Sequence, residues 1–176
     1  MTDRIDDYKK FWNNIVLIDY HEFMTDIDNL RKAFHLSISL FHMGDWLYWG
    51  NKSYIEANFS FADRNGSPQP VSDEKTFANA VRDLYPDFEL IRGIAHAAKH
   101  LQIRPGQHAA SPISAANTYV TGTGFGTGSY GTGPYGGSAR VRQQSPNNQD
   151  IEMTDLAPRI YDMWIKLCAS HSFPLQ

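Results

Sequence analysis

Apolar residues recur at helical spacing over much of the chain. Between Tyr20 and Gly50, two rows of apolar residues follow steps of three and four, and the second row joins halfway along. The first row is Phe23, Ile27, Leu30, Phe34, Ile38 and Phe41, and the second row is Leu36, Leu40, Met43 and Leu47. Such steps place residues on one helical face, so the pattern predicts one long helix. Its second half is apolar over most of the circumference, and we expect neighbours to cover it on several sides.

Two further segments predict helices that pack against this long one. The segment Ser72–Ile103 carries apolar rows at steps of three and four, interrupted at Pro86. The segment Thr154–Ser170 has one apolar stripe and predicts a closing helix, while Ile5–Ile15 carries a weaker helical pattern. Three or four helices around one core are therefore expected.

The segment Lys52–Val71 has the composition of an extended stretch. Apolar residues alternate with polar ones from Ile55 to Phe61, and Asn65-Gly66 is a dipeptide typical of hairpin turns. Pro68 and Pro70 follow, and proline has no N–H to donate to a strand ladder. We therefore expect a strand followed by a loop rather than a completed hairpin.

A glycine-rich insertion occupies about Gln107–Asp150. Eight of the chain's 13 glycines lie between Gly122 and Gly137, flanked by the strand-like residues 118–121 and 139–142. The insertion is predicted to be an irregular hairpin or a loop. It lacks the Gly-Lys-Ser or Gly-Lys-Thr sequence of a phosphate-binding loop.

These elements predict a mainly α fold: a bundle of three to four helices with a short β or extended insertion and a glycine-rich hairpin or loop, in a single domain over residues 1–176. Composition supports a buried core, since 41% of residues are hydrophobic and 20% are charged. Cys168 is the only cysteine, which excludes an internal disulfide.

No apolar run approaches the ~20 residues of a membrane span, and the N-terminus is too polar for a signal peptide. We therefore expect a cytoplasmic protein that has no membrane partner.

The candidate catalytic residues lie on the second half of the Ser72–Ile103 segment. Arg92, His96 and His100 follow steps of four and share one side of the predicted helix, with Lys99 beside them. An imidazole exchanges protons near neutral pH, and a guanidinium stabilises phosphate charge. Phosphodiester cleavage without a metal needs these groups, so we predict a catalytic role for the Arg and both His. A solvated basic helix edge is the alternative.

A polar line on the long helix is expected to face them. It contains Asp28, Arg31 or Lys32, His35, Ser39, His42, and Asp45 with Trp46. His42 and Asp45 are predicted to contact a ligand. A four-imidazole metal site is the alternative, but His35 and His42 are seven positions apart, about 10 Å at ~1.5 Å rise per residue. Both would not easily reach one ion, so we expect no metal and no other cofactor.

The glycine-rich insertion adds aromatic and basic residues. Tyr130 and Tyr135 precede Arg140, and this combination would stack bases and hold phosphates. A loop that binds a protein partner or assembles copies of the chain is the alternative. The net charge of −3 excludes a wholly basic nucleic-acid coat but permits a local basic face.

The Arg–His helix, beside an acid-bearing partner helix, resembles the HEPN family of helical domains. The resemblance covers Tyr20–Gly50 and Asp87–Ile103. The family's motif is an Arg and a His separated by four to six residues, whereas three residues separate Arg92 from His96 and seven separate it from His100. The resemblance implies metal-independent RNA cleavage, or RNA binding without catalysis, in a homodimer.

A non-enzymatic protein-interaction module is the second hypothesis. Trp46, Tyr48 and Trp49 cluster at the end of the long helix. Together with the glycine-rich loop, they would form a surface for a protein partner if their rings are exposed.

Overall fold

A computed structural model describes residues 4–99, 118–121, 140–144 and 150–176, with side chains described for 4–98 and 151–176. The predicted mainly α fold is confirmed. The helices are α1 (Tyr8–Phe11), a π-helix (Trp12–Val16), α2 (Leu17–Thr25), α3 (Leu30–Gly50), α4 (Lys52–Asn58), α5 (Glu74–Leu84), α6 (Phe88–Lys99) and α7 (Met153–Ser170). The strands are β1 (Ser60–Ala62), β2 (Pro68–Pro70), β3 (Thr118–Thr121), β4 (Arg140–Gln144) and β5 (Asp150–Glu152).

Helix α3 forms the centre of the fold, as its apolar pattern predicted. The row of Leu36, Leu40, Met43 and Leu47 is completely buried. Helices α2, α5, α6 and α7 all pack against α3. Trp164 of α7 is also fully buried, and its indole Nε1 donates a hydrogen bond of 2.9 Å to the carbonyl oxygen of Leu40.

The predicted helix Tyr20–Gly50 is wrong at one place, since a turn separates α2 from α3. Asn29 caps α3 by accepting a hydrogen bond from the backbone N–H of Lys32. Asp26 ends α2 and accepts hydrogen bonds from the Asn29 amide and the Lys32 ammonium. Short polar side chains that bond to nearby backbone favour helix ends over helix interiors, and the apolar steps do not reveal this.

The strand predicted near Tyr54 is also wrong over most of its length, because α4 occupies Lys52–Asn58. Ile55 is the buried residue of this helix, while Ala57 is exposed, so the alternation of apolar residues does not mark a sheet face. Lys52 and Glu56 form an ion pair one helical turn apart, which supports a short helix.

The hairpin that the prolines were expected to prevent is formed by β1 and β2, which pair antiparallel around a turn with Gly66 at φ +78°. The N–H of Val71 donates a hydrogen bond to the carbonyl oxygen of Phe59. In this register, the backbone N–H groups of alternate residues of β2, Gln69 and Val71, point toward β1. Pro68 and Pro70 occupy the other positions, where no N–H toward β1 is required.

The break at Pro86 between α5 and α6 is confirmed. Helix α5 begins with a capping box, in which the Asp73 carboxylate accepts from the Thr76 N–H at 2.7 Å and the Thr76 hydroxyl accepts from the Asp73 N–H.

The strand-like residues that flank the glycine-rich stretch pair as β3 and β4, and β5 adds a third antiparallel strand that the sequence pattern did not indicate. Residues 122–139 lie outside the described part of the chain.

Every helix in the described part of the chain is too short or too polar to cross a membrane.

Two glycines test how closely other side chains pack against α3: Gly44 in the middle of the helix and Gly50 at its C-terminal end. A Cβ added at Gly44 would lie 3.5 Å from the Trp164 ring, an ordinary contact, whereas one at Gly50 would lie 2.6 Å from the Tyr8 ring. We expect Gly44→Ala to stabilise the fold by about 0.5–1 kcal/mol through helix propensity. We expect Gly50→Ala to destabilise it by about 1 kcal/mol, because the Tyr8 ring must shift. Urea denaturation measures both, and equal stabilisation by the two variants would contradict this packing.

Candidate functional site

Three of the predicted site residues, Asp45, Arg92 and His96, line one recess. This recess has a volume of about 220 Å³, opens to solvent and lies between α3, α5 and α6. Its walls are Phe41 and Asp45 from α3, Glu74, Lys75 and Ala78 from α5, and Arg92 and His96 from α6. The three helices meet here because the apolar faces of α5 and α6 cover α3, and the recess forms at the edge of that contact, where polar residues begin.

Helical spacing explains which residues of each helix reach the recess. Phe41 and Asp45 are one turn apart on α3, and Arg92 and His96 are one turn apart on α6. Residues four apart lie on the same helical face. Sequence spacing predicted that Arg92 and His96 share a face. It did not predict the pair of Phe41 and Asp45, or that the two pairs share a cavity.

Two imidazoles flank the ring of Phe41. The ring centroids of His42 and His96 lie 5.1 Å and 5.2 Å from the Phe41 centroid. The two imidazoles are therefore no more than about 10 Å apart. His96 lines the recess, and His42 lies at its rim beside Asp45. The predicted catalytic histidine of α6 and the predicted binding histidine of α3 are thus brought to the same place.

His42 is held by a carboxylate. Its Nδ1 lies 2.6 Å from Oδ2 of Asp45, and the two side chains are 29% and 32% exposed. A carboxylate at one imidazole nitrogen sets the tautomer and the orientation of the ring. The pair therefore combines a fixed ring orientation with access to solvent, which proton transfer requires.

Arg92 does not belong to a solvated basic helix edge, which was the alternative to a catalytic role. The residue is 6% exposed, and its Nη1 donates a hydrogen bond of 2.9 Å to Oδ1 of Asn79 on α5. The Glu89 carboxylate lies 3.6 Å from the same nitrogen. Arg92 is thus a fixed positive wall of the recess that also joins α5 to α6.

Burial perturbs both members of this pair. Burial lowers the pKa of the Arg92 guanidinium, and the Glu89 carboxylate opposes that change. Burial likewise raises the pKa of the Glu89 carboxyl, with Arg92 opposing. Each charge therefore depends on the other to remain ionised away from water.

The recess contains balanced charges when its imidazoles are neutral. Asp45 and Glu74 oppose Lys75 and Arg92. Outside the lining, the Glu89 carboxylate lies 3.6 Å from Arg92 and offsets part of its charge. Lys75 is the exposed cation among these residues.

The polar line predicted along the long helix is corrected at two positions. Ser39 is buried, and its hydroxyl bonds to Asp19 of α2, which partly opposes the rise that burial causes in the pKa of that carboxyl. The Trp46 ring stacks on Phe11 at 5.0 Å. Both side chains therefore face α1 and α2 rather than the recess, whereas Trp49 is 62% exposed.

Five predicted site residues have no described side chain. His100, Tyr130 and Tyr135 lie outside the described residues, and for Lys99 and Arg140 only the backbone is described. Lys99 ends α6, and Arg140 begins β4 opposite Thr121. Their roles stay predictions from the sequence.

Metal binding and nucleophilic catalysis by a thiol are two other kinds of chemistry that the described residues were tested for. No group of three or more His, Cys, Asp or Glu side chains there could hold a metal ion, and the four-imidazole alternative also needs His100. Cys168 is 1% exposed, and burial raises the pKa of its thiol to about 12. The thiol therefore stays protonated at neutral pH and does not act as a nucleophile.

Sequence reasoning missed Lys75, Asn79 and Phe41 as parts of this site. No local signal marks them, because Phe41 belongs to an apolar row and Lys75 to an ordinary first turn. Only the crossing of α5 over α3 and α6 places them beside Arg92 and His96.

The buried pair at the recess provides a stability test. Arg92→Met leaves the Glu89 carboxylate buried without its cation, so we expect a loss of about 3 kcal/mol at neutral pH. Because the pKa of Glu89 is already raised, the native state binds its proton more readily than the unfolded state. Arg92 opposes this rise, so the pKa of Glu89 is higher still in Arg92→Met. The loss should therefore shrink as the pH falls through that higher pKa, because Glu89 then takes up a proton.

The double variant Glu89→Gln with Arg92→Met is the control. It removes both charges, so urea denaturation should show that most of the lost stability returns and that its pH dependence is gone. A double variant no more stable than Arg92→Met would contradict the pairing.

Comparisons with known proteins give no relative for this chain: no protein-family model, no curated protein and no solved structure matches it. The fold and the recess are therefore derived from the residues of this chain. The resemblance to HEPN domains, which rests on Arg92 and His96, stays a prediction.

Proposed function

We propose that the recess binds a phosphodiester of RNA and that the protein cleaves RNA without a metal ion, as a HEPN-like helical protein. The observation that carries this proposal is the pair of imidazoles, His42 and His96, each about 5 Å from the Phe41 ring, beside a recess that contains Lys75 and Arg92. Cleavage by the neighbouring 2′-hydroxyl needs one base, one acid and positive charge at the phosphate, and these residues supply all three.

The arrangement around His42 favours it as the base. Its Nδ1 faces Asp45, so Nε2 is the nitrogen that accepts the proton of the 2′-hydroxyl. The 2′-oxygen then forms a bond to phosphorus, and the bond from phosphorus to the 5′-oxygen breaks. Protonated His96 donates its proton to the departing 5′-oxygen. The products are a 2′,3′-cyclic phosphate and a 5′-hydroxyl end.

The cations have separate tasks in this mechanism. Lys75 is exposed and reaches a phosphate oxygen directly, while buried Arg92 contributes a positive field from the wall. A cation in a partly water-excluded recess stabilises the charge that develops on the phosphate more strongly than one in bulk water.

The test is RNA degradation by the purified protein in the presence of EDTA. We expect His42→Ala and His96→Ala each to lower the rate about 10²–10⁴-fold, as loss of a general acid or base does. We expect Lys75→Ala to weaken RNA binding. His21→Ala changes an exposed histidine of α2 away from the recess and should leave the rate unchanged.

Product analysis and the pH profile complete the test. Fragments should carry 2′,3′-cyclic phosphate ends, and RNA with 2′-O-methyl groups should resist cleavage because it has no 2′-hydroxyl nucleophile. The rate should pass through a maximum with pH, since one imidazole must be neutral and the other protonated. Full activity in the variant lacking both His42 and His96, or equal cleavage of DNA, would refute the proposed reaction.

A further inference from the structure

The exposed side of α3 carries a second feature next to the recess. Six residues follow steps of three and four along it and are exposed or half-exposed; we name them the outer stripe: Arg31, His35, Ile38, His42, Asp45 and Trp49. Residues at these steps share one face of a helix. The outer stripe meets the recess at Asp45, which belongs to both.

Trp49 is the most exposed large hydrophobic side chain among the described residues, at 62%. Its ring contacts Tyr48 nearly at right angles, with centroids 5.3 Å apart, and Tyr48 is itself buried and bonded to Glu56 and to the Ser72 carbonyl. The indole is thus held from one side by a fixed ring while most of its surface faces solvent.

Exposure of this kind needs an explanation, because the other tryptophans of the chain are covered. Trp12 and Trp164 are buried, and Trp46 stacks on Phe11. A large aromatic face left open to solvent is a feature that surfaces binding single-stranded nucleic acid use to stack bases.

The position of Trp49 relative to the recess fits a strand that continues out of it. Trp49 lies one helical turn beyond Asp45 and two turns beyond His42, about 10 Å from the latter at ~1.5 Å per residue. That distance corresponds to about three nucleotides of a stacked strand, at ~3.4 Å of axial rise for each nucleotide. Arg31 places an exposed cation at the other end of the outer stripe.

We propose that Trp49 stacks a base of single-stranded RNA whose phosphate occupies the recess, so that the substrate is single-stranded rather than duplex RNA. This inference rests on the proposed function. Bases in a single strand are free to stack on an aromatic side chain, whereas those in a duplex are paired inside the helix and present only a groove edge. The outer stripe then determines which RNA enters the recess.

Binding is measured by fluorescence anisotropy with fluorescein-labelled 2′-O-methyl oligouridylate, which the proposed reaction does not cleave, and with the same strand annealed to oligoadenylate. We expect Trp49→Ala to raise the Kd for the single strand about tenfold, the loss typical of one stacked base. Trp49→Phe retains a ring and should restore most of the affinity. Leu84→Ala alters a side chain of similar exposure, 58%, at the far end of α5 and should change nothing.

Intrinsic fluorescence gives a readout that a merely structural role of Trp49 would not produce. A stacked base quenches indole emission, so unlabelled single strand should quench the wild-type protein. The quenching should be largely lost in Trp49→Phe although that variant still binds. Thermal unfolding of each variant confirms that the fold is intact.

The outcomes separate this inference from the proposed function. If Lys75→Ala loses binding but Trp49→Ala does not, stacking is refuted and the RNA recess stands. Equal binding of duplex and single strand would also refute it. If wild-type protein binds neither RNA, both proposals fail, and Trp49 is better explained as a contact for a protein partner.

Discussion

The burial of the apolar rows of α3 is the constraint on which the rest of the structure depends. Its second half has too few polar residues to face water, so α6, α5, α2 and α7 must each cover part of it. The buried Trp164 secures α7 in this arrangement, because its indole N–H needs a partner and finds the Leu40 carbonyl at 2.9 Å. Without this coverage, α5 and α6 would have no common surface on which to meet.

The recess is a consequence of where that coverage ends. Phe41 is the large apolar residue of the lining, and the other lining side chains except Ala78 are charged or imidazole. Arg92 belongs to both environments, since its guanidinium is buried against Asn79 and Glu89 yet forms part of the recess wall. The same contact therefore holds α5 against α6 and supplies charge to the candidate site.

Local pattern predicted much of this structure and failed at identifiable places. The features that depend on neighbours in sequence were each predicted. These are the buried row of α3, the break at Pro86, the strands beside the glycine-rich stretch, and the pairs on α3 and α6. The turn at Asp26–Asn29 was missed because its polar caps lie between apolar steps that look continuous. The hairpin at Pro68 and Pro70 was missed because register, which the sequence does not reveal, decides whether a missing N–H matters.

For this protein, the sequence by itself determined most of the helical segments, with α4 as the exception, and which of their residues share a face, because helical spacing is a property of adjacent turns. It placed Arg92 with His96 and His42 with Asp45. Tertiary structure alone decided that these pairs meet at one recess, that Arg92 is buried rather than exposed, and that Trp49 rather than Trp46 faces solvent. These depend on how helices cross, and crossing is determined by contacts between residues far apart in the chain, which no local pattern encodes.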